Sequence, residues 1–187
     1  GTNPGFLYQQ NTVRDALVAG ITLNIFNKHC DRVKMANLAQ MVNVLQSVIL
    51  TEGPKMIKTP TYHVFHMYRH HQGATLLNST LTGVGETGIG EWKVPEVTES
   101  VSEDAEHIIT VTLNNLSADE EIEIVIAGDE HVYSVKEAKV VSAEMHAHNT
   151  FDAPELVKEE VFTAYKKCAD GIKIMLPPCS VVELRLQ

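Results

Sequence analysis

Residues 109–113 read Ile-Thr-Val-Thr-Leu, residues 122–126 read Ile-Glu-Ile-Val-Ile, and residues 181–186 read Val-Val-Glu-Leu-Arg-Leu. In the second stretch Ile122, Ile124 and Ile126 point one way while Glu121 and Glu123 point the other, the period of two that a half-buried antiparallel strand requires. Segments 132–143 and 172–176 read as strands in the same way. Short strands separated by turn signals predict a sandwich or jelly roll. Pro177-Pro178 divides the last two strands, because proline cannot donate to a ladder.

Upstream of Gly73 the period lengthens. Thr12-x-x-Asp15 predicts a capping box opening a helix with Val13, Ala16, Leu17, Ile21 and Ile25 at helical spacing. Val18, Leu23 and Phe26 fill its other side, so it is expected to be buried nearly all round. Thr59-Pro60 starts a second helix, with Tyr62, Phe65, His66 and Arg69 following at helical steps. Between them, periodicity leaves the apolar segments 32–40, 41–45 and 47–50 open between strand and helix. Charge divides at the same place. Residues 1–74 carry seven Lys and Arg against three Asp and Glu, net +4, and the remainder carries eight against twenty-one, net −13. We therefore place a boundary between 1–74 and 75–187. The acidic half makes nucleic acid a poor partner, and no run of about 18 apolar residues predicts a membrane span. Three cysteines without a paired spacing predict free thiols rather than a disulfide framework.

Chemistry-bearing patterns are few. Gly83 to Gly90 lacks the Lys-Ser/Thr of a phosphate loop and reads as an inter-strand loop. His63, His66, His70 and His71 share one helix, and His66/His70 have chelating spacing. The HExxH glutamate and a third ligand are missing, however, so we expect a partly exposed helix face and no metal or other cofactor. His146-x-His148 is too little for a metal site. Asn37, Gln40 and Asn43 place uncharged amides among apolar neighbours, which costs free energy unless they are hydrogen-bonded. They serve either as amides satisfying backbone groups in the core or as ligands for sugar hydroxyls.

Those amides sit in stretches that carry a family resemblance. Gln9-Gln10-Asn11-Thr12-Val13-Arg14-Asp15, then Asp31-Arg32-Val33-Lys34-Met35-Ala36-Asn37-Leu38-Ala39-Gln40-Met41-Val42-Asn43, then Thr59-Pro60-Thr61-Tyr62-His63-Val64-Phe65 resemble the C-terminal part of the alpha-L-arabinofuranosidases of glycoside hydrolase family 51. His148-Asn149-Thr150-Phe151-Asp152-Ala153-Pro154 and Leu176-Pro177-Pro178-Cys179-Ser180 agree with it. The resemblance implies a mixed fold, mainly an all-β, jelly-roll-like sandwich (75–187) preceded by the last helix and strand elements of a (β/α)8 barrel (1–74). Arg32 to Gln40 would be the eighth barrel strand. Gln40, at its C-terminal end where such barrels keep their active sites, matches the family glutamine that hydrogen-bonds arabinose beside the scissile bond.

The family's retaining hydrolysis uses two Glu about 5–5.5 Å apart. Neither Glu motif occurs here, and Glu91-Trp92 is a chance echo. The resemblance thus implies no catalytic residue in this chain, which is expected to begin after the nucleophile strand. The expected partner is an arabinose-containing oligo- or polysaccharide, reached through the full-length enzyme, and a homo-oligomer is also expected. A second class competes: an independent carbohydrate-binding module. It would want exposed aromatics for stacking, and the sandwich offers only Trp92, Tyr133 and Tyr165.

Overall fold

The computed structural model describes residues 10–128 and 133–187. Along the chain lie α1 (Val13–Lys28), β1 (Ile49–Glu52), β2 (Lys55–Lys58), α2 (Pro60–Tyr68) and a 3-10 turn (Arg69–His71), then β3 (Thr75–Leu76), β4 (Glu86–Ile89), β5 (Trp92–Pro95) and β6 (Val97–Glu103). They are followed by β7 (Ile109–Asn115), β8 (Ile122–Ile126), β9 (Val135–Ser142), β10 (Glu160–Val161), β11 (Tyr165–Cys168), β12 (Gly171–Leu176) and β13 (Ser180–Leu186). A six-stranded sheet, β10-β9-β13-β7-β6-β3, faces a three-stranded sheet, β11-β12-β8, and the ladders are antiparallel. The five segments with a two-residue period are all strands; Val132 lies outside the described residues. Pro177 and Pro178 sit where the chain leaves the small sheet on β12 and enters the large one on β13.

Alternation gives the large sheet two working faces. Val97, Val111, Leu113, Val182, Leu184 and Leu186 meet Ile172, Ile174 and Leu176 of the small sheet in the sandwich core. On the opposite face Val141 and Val181 meet Val13, Ala16 and Leu17 of α1 and Val64, Met67 and Tyr68 of α2 in a second core. Around this second core the sheet is polar: Thr98, Ser100, Ser102, Thr112 and Asn114 share the helix side. A polar sheet face buried under helices is costly unless its hydroxyls are paired.

Asn24 does that pairing. Its side-chain oxygen accepts from the hydroxyls of Tyr68 (2.8 Å), Ser100 (2.9 Å) and Thr112 (2.9 Å). Its amide donates to Thr98 Oγ1 at 3.1 Å. The Tyr68 hydroxyl and Thr98 Oγ1 in turn accept from Asn114 Nδ2. At the other end of α1 the capping box forms as expected, with Asp15 Oδ2 accepting from the Thr12 N–H at 2.8 Å and the Thr12 hydroxyl at 2.9 Å. The Asn149 of the resemblance's sandwich signature is a brace: it bonds the Lys58 and Val157 carbonyls and the Val157 N–H.

One expectation about the helices needs correction. α1 is not buried all round; Val18 (57%) and Ile25 (50%) face solvent, because only one of its sides meets the sheet and α2. The buried side of α2 is Thr61, His63, Val64, Met67 and Tyr68, while Tyr62, Phe65 and His66 are partly open. One pair of strands is also set apart. Among the described residues β4 and β5 pair only with each other, and Ile89 (87% exposed) stands opposite Trp92 (82% exposed) near their tip.

The histidines join the helical turn to the sheet. His71 bonds Ser102 Oγ through Nδ1 and Thr112 Oγ1 through Nε2, and burial, then the charge of His70, lowers its pKa to about 4. His70 Nδ1 meets Glu183 Oε1. Burial lowers His70 to about 4 and raises Glu183 to about 7. Between pH 4.5 and 6.5 the shift of His70 makes stability rise with pH and that of Glu183 makes it fall, so the two oppose. His71 then leaves a net rise, because the unfolded chain binds its proton in that window and the folded chain does not. We expect the urea midpoint to climb from pH 4 to 6.5 and the climb to shrink in His71→Gln. An undiminished climb in that variant would remove His71 as its cause.

A second test follows from the approach of α1. A Cβ on Gly20 would lie 2.3 Å from Asn114 Oδ1, forcing the Asn114 amide off its two acceptors, the Tyr68 hydroxyl and Thr98 Oγ1. We expect Gly20→Ala to destabilise by about 1–3 kcal/mol through overpacking, outweighing the roughly 1 kcal/mol that alanine contributes to a helix. A raised urea midpoint would show that α1 does not press on Asn114.

Candidate functional site

After α1 the chain runs through residues 33–40 without regular secondary structure. This corrects the expected strand over Arg32 to Gln40: an apolar run becomes a strand only when a neighbour completes its ladder, and this run has none among the described residues. A cis peptide joins Ala39 to Gln40. Gln40 is exposed, and its side chain makes no hydrogen bond among the described residues; Asn37 is exposed as well. Neither is a core amide.

The loop that follows Gln40 is firmly anchored. The Met41 carbonyl accepts from the Val48 and Ile49 N–H groups at 3.1 and 3.2 Å. Asn43, the third amide, is spent on structure: Oδ1 accepts from the Thr51 N–H at 2.7 Å and Nδ2 donates to Thr51 Oγ1 at 2.8 Å. Asn11 Nδ2 holds the Leu45 carbonyl, and Gln46 Nε2 donates to Asp15 Oδ1 at the start of α1. The Gln46 amide and the Thr12 groups hold the Asp15 carboxyl below its usual range against the opposing effect of burial, the largest single influence. Asn43 (φ 62°) and Leu45 (φ 50°) both adopt the left-handed conformation. That is uncommon for asparagine and an outlier for leucine. No pattern in the sequence signals either.

Four histidines fall together, but each ring is occupied. His63 and His66 both direct Nδ1 at Glu159 Oε1, at 3.3 and 2.7 Å, and His70 and His71 are held by the sheet. Burial raises the pKa of Glu159, but His63 and His66 outweigh it and bring the carboxyl to about 2. Among the described residues no group of three or more His, Cys, Asp or Glu is arranged to hold a metal ion. A cleft of about 540 Å³ lies beside this cluster, walled by Met56, Lys58, Tyr62, His66 and Glu159. Its aromatic wall is already engaged, with the Lys58 ammonium over one Tyr62 ring at 4.8 Å and His66 stacked on the same ring. His148 follows a turn and bridges Thr12 in antiparallel fashion, its Nδ1 on the His146 carbonyl.

The buried carboxylates serve the fold. Asp15 caps α1, Glu99 takes Lys28 and Ser79, and Glu183 takes His70. Glu99 and Glu183 escape a sequence reading because a charged residue in a strand reads as solvent-facing. The exposed amides Asn37 and Gln40 lie in a stretch of chain that also exposes the side chains of Met35 (76%) and Met41 (65%).

Comparison with known proteins identifies the family. Residues 1–180 match the family model described as the alpha-L-arabinofuranosidase C-terminal domain. An "Intracellular exo-alpha-L-arabinofuranosidase" of Bacteroides ovatus is 43% identical over 188 residues, spanning 100% of this chain and 37% of that protein. A solved GH51 arabinofuranosidase from Xanthomonas axonopodis pv. citri superposes with a TM-score of 0.93 at 39% identity, over 100% of this chain and 38% of that one. The alpha-L-arabinofuranosidase of Thermotoga maritima, solved as an arabinose complex, shares the fold with a TM-score of 0.79 at 19% identity, over 99% of this chain and 40% of that one. The chain thus spans well under half the length of these relatives. By its matched domain and its relatives, it belongs to the C-terminal domain family of the glycoside hydrolase family 51 alpha-L-arabinofuranosidases.

Proposed function

We propose that this chain is the C-terminal part of a retaining, exo-acting hydrolase that releases terminal arabinofuranose from arabinan, arabinoxylan or arabino-oligosaccharides, and that Gln40 contacts the sugar. On this reading residues 1–74 complete the catalytic barrel and residues 75–187 brace it. The observation that carries the reading is Gln40 itself: exposed, with no side-chain hydrogen bond among the described residues, and mounted on a loop tied to the start of α1 and to β1. A side-chain amide offers one acceptor and two donors, which suits a sugar hydroxyl that both gives and takes a proton. On this reading the exposed apolar side chains of Val18, Ile25, Met35 and Met41 are covered by the rest of the barrel. Assembly as a homo-oligomer completes the proposal.

Retaining hydrolysis needs one carboxyl as nucleophile and another as acid and base, about 5–5.5 Å apart. We assign both to the remainder of the enzyme, since the buried carboxylates here are committed to caps and ion pairs. The division of labour is binding and support from this chain, proton transfer and covalent chemistry from the other part.

The purified chain is accordingly expected to release no phenol from an aryl alpha-L-arabinofuranoside. Release proportional to added protein would overturn the assignment of the carboxyl pair. In the full-length enzyme, Gln40→Ala is expected to lower kcat/KM by about 5- to 150-fold, the loss of one hydrogen bond made to substrate. Unchanged kinetics would withdraw the sugar contact.

A further inference from the structure

We propose that Asn43 is a positioning residue that sets Gln40 for the substrate through its clasp on Thr51; the proposal rests on the sugar contact assigned to Gln40. Two residues, Met41 and Val42, separate the two amides. Among the described residues the Gln40 side chain makes no hydrogen bond, so its place is set by where the backbone leaves it. That backbone is fixed from Asn43. The Asn43 N–H donates to the Ile49 carbonyl at 3.1 Å, and its side chain makes both the 2.7 Å and 2.8 Å bonds to Thr51. Three bonds from one residue to the first strand of the hairpin lock Met41 to Asn43 alongside β1, where Val42 bridges Ile49 in parallel.

The side-chain bonds choose the conformation. At φ 62° the residue lies in the left-handed region, which asparagine tolerates better than most residues. Without the clasp, the remaining bonds to Met41 and Asn43 are backbone bonds in a loop open to water. The segment then samples other arrangements, and Gln40 loses the placement, good to about 0.5 Å, that a substrate contact demands. A left-handed residue held by its neighbours beside a proposed binding group is the kind of constraint that accumulates at sites which must be pre-set.

Substitutions in the full-length enzyme separate the elements of this argument. Asn43→Gly permits the left-handed backbone without strain and removes the clasp, while Asn43→Asp keeps an acceptor for the Thr51 N–H and a second oxygen for the Thr51 hydroxyl. With an aryl alpha-L-arabinofuranoside as substrate, we expect Asn43→Gly to lower kcat/KM by about 5- to 30-fold and Asn43→Asp to retain most of the activity. In a Gln40→Ala background the same Asn43→Gly change is expected to cost less than about twofold, because a residue acting through Gln40 has nothing left to act on. Thermal unfolding of each variant reports folding separately. A loss of equal size in both backgrounds, or no loss, overturns the positioning role and leaves the sugar contact standing. Gln40→Ala with unchanged kinetics removes both.

Discussion

A helix laid on a polar sheet face is held by its buried hydrogen bonds, and in this chain one amide gathers most of them. Asn24 collects hydroxyls from α2, β6 and β7 on a single oxygen. Truncating it would leave those hydroxyls without their common acceptor, and each buried polar group left unpaired costs roughly 1–3 kcal/mol. The same bonds fix how far α1 can slide or roll, since a shift by one residue would present a different side chain to Ser100 and Thr112. Apolar packing at Val13, Ala16 and Leu17 supplies attraction, and the amide supplies register. The helical segment and the sheet therefore share a core across the boundary that composition places at residue 74.

That register reaches the loop bearing Gln40. The capping residue Asp15 of α1 receives Gln46, and Asn11 just before the helix receives the Leu45 carbonyl. The loop is thus referenced to the same helix that Asn24 seats on the sheet. A surface amide proposed to meet substrate is tied to a structural core through two short links, which is how a fold converts packing into a fixed binding group.

The strands at 122–126 and 172–176 were legible because burial alternates along them, and those at 109–113 and 181–186, although buried on both faces, still set apolar residues against polar ones on opposite sides. The capping box was legible for a similar reason: its partners are three residues apart. The helix side of the large sheet was not. Thr98, Ser100, Ser102, Thr112 and Asn114 look like a solvent face, and only the placement of Asn24, Tyr68 and His71 over them makes that face internal. For Arg32 to Gln40 periodicity left strand and helix open, and the barrel strand that the resemblance implied finds no neighbour to complete its ladder among the described residues. At the candidate site, the resemblance singled out Gln40, whereas the clasp at Asn43 depends on a left-handed backbone and on a hairpin partner eight residues away. Neither leaves a mark in local composition.

The outlying hairpin has a consequence for how this molecule is observed. Trp92 is the only tryptophan in the chain, and it stands 82% exposed on β5, away from both cores. Its indole is already in water in the native state, so loss of the sandwich or of the helical layer changes its surroundings little. Tryptophan emission therefore reports on the hairpin, and whatever comes to cover it, rather than on global unfolding. Cooperative loss of the cores is read instead from far-ultraviolet ellipticity, or from Tyr68, whose ring is buried at the junction of helix and sheet.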